Sequence, residues 1–407
     1  MQQKGISKLD LKRQNRMQIL RVIRENGPIS RVDIAAELEL TRAAVTIITN
    51  EMIAEGVLQE LGEAPVEADK LQKGRRKILI GINATNRFAL GATISPGYVS
   101  VGLSTLDAEV LDKTMMPIGD DTKAEDVLNF IAESCKNMVE NSCLAMNKIL
   151  GLGVGVMPLM WDFMGVKLED NELNFQSVTE PLERMLEMQV LAANAVGLIA
   201  LASQDFSGLD GRRRNIVLLA GGQQYNVAVL NKNLLLPEYD VNTMSIERIV
   251  INPNGASAAG YPNGSVKAEL TEEVILRKLR AVYSQKDTPY LYEATGGDMN
   301  KITEEIANEA YVHGDKPVQE VVNQIVDNLA VLVNNLQATH YANGVVLHNI
   351  QMNEFCFAYF KNKLAEIAGQ EIADRVEFSR ADRRYSFRGG SALAIYQLFY
   401  VRGGMNP

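Results

Sequence analysis

Residues 30–58 read SRVDIAAELELTRAAVTIITNEMIAEGVL, two short amphipathic segments of helical spacing joined by a turn. Ser30 stands three residues before Asp33, the spacing at which a hydroxyl and a carboxylate cap a helix start together. Ile34, Ala35 and Leu38 follow on one face. Glu39 and Leu40 make the turn, and Thr41 is placed to cap a second helix whose apolar positions are Ala44, Val45, Ile48 and Met52. That stripe leaves Arg42, Ala43, Thr46 and Thr49 outward. Short or basic side chains near the start of a second helix are what a helix-turn-helix brings to base edges in the major groove. Gly56 is placed to end the helix.

Outward from this pair the other parts agree. Val57 to Leu61 alternates as a strand, a polar loop follows, and a second strand spans Ile78 to Ile82. Gly74-Arg75-Arg76-Lys77 sits near the return of that hairpin, giving a wing whose three cations reach phosphates or the adjacent minor groove. Upstream, Leu9 to Glu25 is a further helix with Met17, Leu20 and Ile23 on one face and Lys12, Arg13, Arg16, Arg21 and Arg24 off it, stopped by Asn26-Gly27-Pro28. Residues 1–82 are therefore expected to form a winged helix-turn-helix, with double-stranded DNA as partner. Its candidate contacts are Ser30, Arg31, Thr41, Arg42, Ala43, Thr46, Thr49, Arg75, Arg76 and Lys77.

The chain has 407 residues, 46% hydrophobic and 22% charged, an ordinary globular balance with room for two or three domains. No run approaches the ~18 apolar residues of a membrane span, and the N-terminal MQQKGISKLD has no apolar targeting core, so a cytoplasmic protein without membrane contact is expected. Cys135, Cys143 and Cys356 are scattered in no metal-binding spacing, which suits a reducing compartment. The net charge of −9 divides unevenly: residues 1–90 hold 15 Lys and Arg against 11 Asp and Glu, a balance of +4, and the remainder holds 26 against 39, a balance of −13. A basic head on an acidic body orients the molecule on DNA, since phosphates attract one and repel the other.

From about Arg87 the pattern becomes α/β. RFALGATISPGYVSVGLSTLDAEVLDK reads as three strands separated by tight turns, and RNIVLLAGGQQYNVAVLNKNLLLP repeats that layout about 127 residues later. Each unit is followed by helical sequence, which predicts a duplicated α/β body with a cleft between halves. ILGLGVGVMP is a short buried strand, Pro181 to Gln204 a helical stretch, and Thr271 to Ser284, Lys301 to Tyr311 and Pro317 to Ala342 are longer helices. GVVLHNI is another buried strand, a helix starts at Met352, and FRGGSALAIYQLF is a Gly-Gly turn opening a last helix.

This layout resembles the ROK family of repressors, open reading frames and sugar kinases. The order of an Arg-Gln-Asn helix, ISR, LTRAAV, EMIAEGVLQELG and GRRK is similar to the winged-helix headpiece of ROK repressors, with Lys77 where a proline usually follows GRR. The resemblance implies that residues 83–407 have the actin-like, ribonuclease-H-like sugar-kinase fold. Its two lobes would span roughly 83–190 plus the C-terminal helix, and 191–390. It also implies a homodimer or dimer of dimers on a palindromic operator.

At each place where the family does chemistry, this chain departs from it. The first phosphate loop, D-x-G-G-T in the family, is Gly91-Ala92-Thr93-Ile94-Ser95-Pro96-Gly97, without the acid or the glycine pair, and Pro96 offers no N–H. The second, G-T-G-x-G-x-G, is Ala220-Gly221-Gly222-Gln223-Gln224-Tyr225-Asn226. Ala192 stands where the resemblance puts the catalytic Asp of an E-N-D-A-N-A helix start; Asn194 and Ala195 survive as a cap and a packing residue. Ser257, Ala259 and Ser265 occupy the cysteine places of the family's zinc loop, and Glu247 or Arg248 falls near its histidine. The histidines present (His313, His340 and His348) read as ordinary polar or core residues. No catalytic residue, cofactor or metal is therefore expected. The expectation is a DNA-binding transcriptional regulator, a repressor by resemblance, whose body dimerises and senses a small, carbohydrate-derived ligand. An active sugar kinase with an atypical site and a ligand-independent architectural DNA-binding dimer are the alternatives.

Overall fold

α1 (Lys8–Asn26), β1 (Ile29–Ser30), α2 (Arg31–Glu37), α3 (Arg42–Ala54), β2 (Leu58–Glu63) and β3 (Ile78–Ile82) build the headpiece in a computed structural model of the chain, which describes residues 8–63, 76–169, 172–205, 216–230, 242–379 and 383–405. Its local signals act as their spacing predicts. Ser30 Oγ donates to Asp33 Oδ2 at 2.6 Å and accepts from the Asp33 N–H at 3.3 Å. Thr41 Oγ1 accepts from the Ala44 N–H at 3.2 Å. α3 closes with Val57 N–H donating to Met52 O and Gly56 N–H to Ile53 O, Gly56 taking φ +73° where a side chain is disfavoured. The strands lie in the order β1-β3-β2, antiparallel throughout, over a core of Ile19, Leu20, Ile34, Val45, Met52 and Ile80. The tip of the wing, with Gly74 and Arg75, lies outside the described residues.

The next elements are β4 (Phe88–Ser95), β5 (Tyr98–Thr105), β6 (Val110–Pro117), α4 (Ala124–Asn141), β7 (Ile149–Val156), α5 (Trp161–Met164), a hairpin of β8 (Lys167–Glu169) and β9 (Glu172–Asn174), α6 (Gln176–Leu186), β10 (Val190–Asn194) and α7 (Ala195–Asp205). Their sheet has the order β10-β7-β4-β5-β6, parallel from β10 to β4 and antiparallel from β4 to β6. The expected single helix from Pro181 to Gln204 is thus broken by a strand. Val190–Asn194 carries two alanines and no local strand signal, and is made extended by parallel pairing with Leu152–Val156 of β7. β10 and α7 stay with this first sheet, so the division of the body falls near residue 212 and not at 191.

The second unit holds β11 (Ile216–Ala220), β12 (Asn226–Leu230), β13 (Asn242–Ser245), α8 (Val266–Glu269), α9 (Glu272–Ala281), α10 (Pro289–Ala294), α11 (Glu304–His313), α12 (Lys316–His340), β14 (Gly344–His348), α13 (Glu354–Ala368), α14 (Gln370–Asp374) and β15 (Val376–Phe378). Its sheet, β13-β12-β11-β14-β15, repeats the order of the first: a central strand, an antiparallel pair on one side and a parallel pair on the other. This is the duplication that the strand repeat predicts. The strand expected at NLLLP falls outside the described residues; β13 follows it.

The last helix, α15 (Arg388–Ile395), belongs to the first unit and runs on as a π turn through Tyr400. Gly389 and Gly390 are not a turn but lie in its first helical turn; Gly390 lets it approach β4 and β7, and Gly389 lets it approach Leu198 of α7. A Cβ on Gly153 would stand 2.0 Å from Gly390 O, and one on Gly91 would stand 2.3 Å from Phe387 O. The headpiece core continues into this region through Ala89, Leu106, Ala394, Ile395, Leu398 and Phe399, so the headpiece shares one compact unit with the first lobe.

Candidate nucleic-acid interface

Successive residues of an α-helix turn by about 100°. Val45, Ile48 and Met52 of α3 therefore point one way, and Ala43 and Asn50 the opposite way with Thr46 and Ile47 beside them. Thr41, Arg42, Ala43, Thr46, Ile47 and Asn50 are exposed. Thr49 is not: it is fully buried, 40° from Val45 on the helical wheel by the same rule. Its hydroxyl donates to Val45 O at 2.8 Å, and it accepts Arg31 Nε at 3.1 Å. The expectation that Thr49 faces outward is corrected; it is a tie between helices. Thr46 turns its hydroxyl to Arg42 O at 2.7 Å and leaves its methyl outward.

Several of the other candidates are committed within the headpiece. Ser30 is 2% exposed and spends its hydroxyl on the cap, so it is a helix start and not a contact surface. Arg31 bonds Thr49, Asn50 Oδ1 at 3.0 Å and Glu60 Oε1 at 2.9 Å, which holds β2 of the wing against α3. Lys77 Nζ lies 2.7 Å from Asp33 Oδ1 and pins β3 to α2; its hydrogen bond and that of Ser30 hold the Asp33 carboxyl below its ordinary range. Arg76 pairs with Glu63 across the wing at 2.8 Å, both side chains exposed. The Arg42 side chain has no hydrogen bond or ion pair among the described residues and stands at the open end of α3. Ile47, 61% exposed, was missed by the sequence reading. A large aliphatic side chain four residues after Ala43 on the outward face is the signal, since thymine methyl groups offer it an apolar partner.

Arg16, placed with the solvent cations by the periodicity of α1, is instead 1% exposed. Its Nε donates to Gly403 O at 2.8 Å and its Nη1 to Glu55 Oε1 at 3.0 Å. One guanidinium thus joins α1, the end of α3 and the turn that follows α15.

In the body, several positions where the resemblance places chemistry make packing and backbone contacts. Gly91 takes the approach of α15, and Thr93 donates to Ser386 O at 2.9 Å. Gly221 N–H donates to His348 O at 3.0 Å, and Gly222 (φ +111°) accommodates the Asn349 amide. Ala192 lies in β10 opposite Val154, and Asn194 Oδ1 accepts from the Val196 N–H at 3.0 Å, capping α7. The loop that the family closes around zinc does not fit zinc here. Ser257, Ala259 and Ser265 offer no thiolate, and the loop is tied by two buried carboxylates. Glu247 takes Lys267 at 3.4 Å and the Tyr261 hydroxyl at 3.2 Å. Glu269 takes the Ala256 N–H at 2.6 Å and Lys278 at 2.7 Å. Among the described residues no helix is long and apolar enough to cross a membrane.

Residues 12–59 match the winged helix-turn-helix DNA-binding family. The whole chain is similar to the xylose repressor of Caldicellulosiruptor bescii, 24% identical over 399 residues that cover 95% of this chain and 96% of that protein. Among solved structures it is similar to a ROK family transcriptional regulator, a homologue of the E. coli MLC protein, with a TM-score of 0.68 at 19% identity over 97% of this chain and 98% of the other. A ROK hexokinase from Thermus thermophilus matches with a TM-score of 0.57 at 15% identity, over 75% of this chain and 97% of the other. Fold and headpiece together define a winged-helix module carried on a sugar-kinase-like α/β body. That is the composite layout of the ROK repressors, and the resemblance carried by the motifs holds for both parts.

Proposed function

We propose that the chain is a sequence-specific transcriptional repressor that binds a palindromic operator as a homodimer, and that its body binds a small effector without transferring phosphate. The observation that carries the reading is the open face of α3, where Ala43, Thr46, Ile47 and Asn50 permit close approach and Arg42 is unengaged. Repression needs only occupancy, because a dimer on its operator excludes polymerase, and a relative that spans nearly the whole chain is named a repressor. With an operator selected from random duplexes, Arg42→Ala should weaken binding by about 1–3 kcal/mol and relax preference at one base pair. Adding Arg75→Ala and Arg76→Ala should weaken every duplex alike and flatten the salt dependence. A triple variant that binds the selected duplex as tightly as the parent would refute the reading.

The body's lack of phosphotransfer is supported by Ala192 at the place of the general base and by the absence of any acid from Met188 to Leu201. Loss of a general base costs roughly 10²–10⁴ in rate, and loss of the phosphate cradle removes positioning as well. Incubation with ATP and glucose, xylose or N-acetylglucosamine should yield no sugar phosphate above the protein-free control. Turnover at a catalytic rate on any of the three would make the chain a kinase with an atypical site.

A further inference from the structure

Beside α9, α11 and the loop after β14, the second unit has an inner chamber of about 60 Å³ that adjoins an outer groove of about 620 Å³. Asn308, Ile350, Gln351 and Met352 line both, so the two adjoin along a shared wall of one cleft. The chamber floor is aliphatic, built from Leu270, Ile275, Leu279 and Leu329. The outer groove has an aromatic wall in which Tyr290 stacks on His313 with ring centroids 4.0 Å apart.

Two polar groups line the chamber without a protein partner among the described residues. Tyr225 is 4% exposed, and its hydroxyl makes no hydrogen bond there. Glu304, the first residue of α11, accepts none. Burial pushes its carboxyl up to about 6, with Glu272 acting in the same direction. A half-buried carboxylate and a phenol hydroxyl that both line the chamber are groups that a complementary ligand can engage. Glu305 and Glu309 line the outer groove, and among the described residues neither cavity wall contains Lys or Arg. Gly222 and Tyr225 belong to the loop that the ROK resemblance gives to phosphate, yet this lining repels phosphate and attracts positive charge.

We propose that this cleft binds a small organic cation, its ammonium donating to the Glu304 carboxylate and the Tyr225 hydroxyl and its short apolar body resting on the aliphatic floor. The inference deepens the effector role proposed above; it is tested without DNA, so that it and the operator-binding reading fail separately. The full chain is titrated calorimetrically at neutral pH with phenethylamine, and with 3-phenylpropanoate and ATP as anionic counterparts. Phenethylamine should bind once per chain and raise the melting temperature, and neither anion should do so. Tyr225→Phe and Glu304→Gln should each weaken the amine by about tenfold or more, the loss of a charge-assisted hydrogen bond. If Tyr225→Phe lowers the unliganded melting temperature, Glu304→Gln, which only removes a half-buried charge, decides the matter. No amine binding, equal binding of either anion, or an unchanged amine affinity in Glu304→Gln overturns the proposal.

Discussion

Glu269→Ala is expected to destabilise the second unit by about 3–5 kcal/mol, the range for removing one member of a buried ion pair. Glu269 is 1% exposed. One oxygen accepts the Ala256 N–H at 2.6 Å, and the other accepts Lys278 Nζ at 2.7 Å and Asn328 Nδ2 at 3.3 Å. Truncation strands an ammonium on a side chain 18% exposed, a buried amide and a backbone N–H together. The cost is that of three unmet groups, not of one lost contact. Gly255 belongs to the same arrangement, since a Cβ there would stand 2.1 Å from Glu269 Oε1. Replacing Lys278 by Met in the Glu269→Ala background should recover part of the loss, because the stranded charge goes with it. Hydrogen exchange across 252–280, read against denaturant, measures the change in this unit by itself. A cost below about 1 kcal/mol would mean that water satisfies the loop and that the carboxylate does not hold it.

That network marks a limit of what the sequence carries. The sequence shows Gly255, Gly260, Gly264 and Glu269 around the places of the missing zinc ligands, and nothing in their spacing says that Glu269 closes the loop. The headpiece was legible because its signals are local: Ser30 and Asp33 cap each other, Thr41 caps α3, and Gly56 closes it within a few residues. The duplicated sheets were legible for a similar reason, being apolar runs cut by glycine turns at a fixed repeat. What failed depends on partners distant in the chain. Val190–Asn194 is a strand only because β7 lies beside it. Gly389 and Gly390 look like a turn until α7, β4 and β7 show what they must approach. Thr49 falls off the apolar stripe by residue type, though its angle on α3 lies near Val45. In the candidate interface, Arg42, Ala43 and Thr46 keep the exposed positions read from the sequence, whereas Arg31 and Lys77 are claimed by Glu60 and Asp33.

Arg16 is the strongest case of a distant partner, and Glu55→Ala is the substitution that exposes its role. Periodicity gives α1 a cationic outer face, and only the turn at Gly403, 387 positions along the chain, turns one of those cations inward. The Arg16 side chain is 1% exposed and its Glu55 partner 46% exposed. Removing Glu55 leaves a buried guanidinium with the Gly403 carbonyl as its remaining partner. Because water reaches the Glu55 side, the expected loss lies at the low end of the range for breaking a buried pair, about 3 kcal/mol. The hydrogen bond from Arg16 holds the Glu55 carboxyl below its ordinary range, against the opposing effect of burial. A carboxyl that is more acidic in the folded state stabilises the fold above its unfolded pKa of about 4.5, and that contribution disappears as pH falls through the folded value. The difference between Glu55→Ala and the parent should therefore be full at neutral pH and shrink on acidification, as protonation removes the same interaction from the parent. Hydrogen exchange in α1 and α3 follows both proteins through that range. Operator affinity should fall with the variant although Arg42 and the open face of α3 are untouched, because Glu55 is the residue that ends α3 and Arg16 ties that end to the body. A loss under about 1 kcal/mol, or one that stays constant into acid, would show that the guanidinium is held by the Gly403 turn alone.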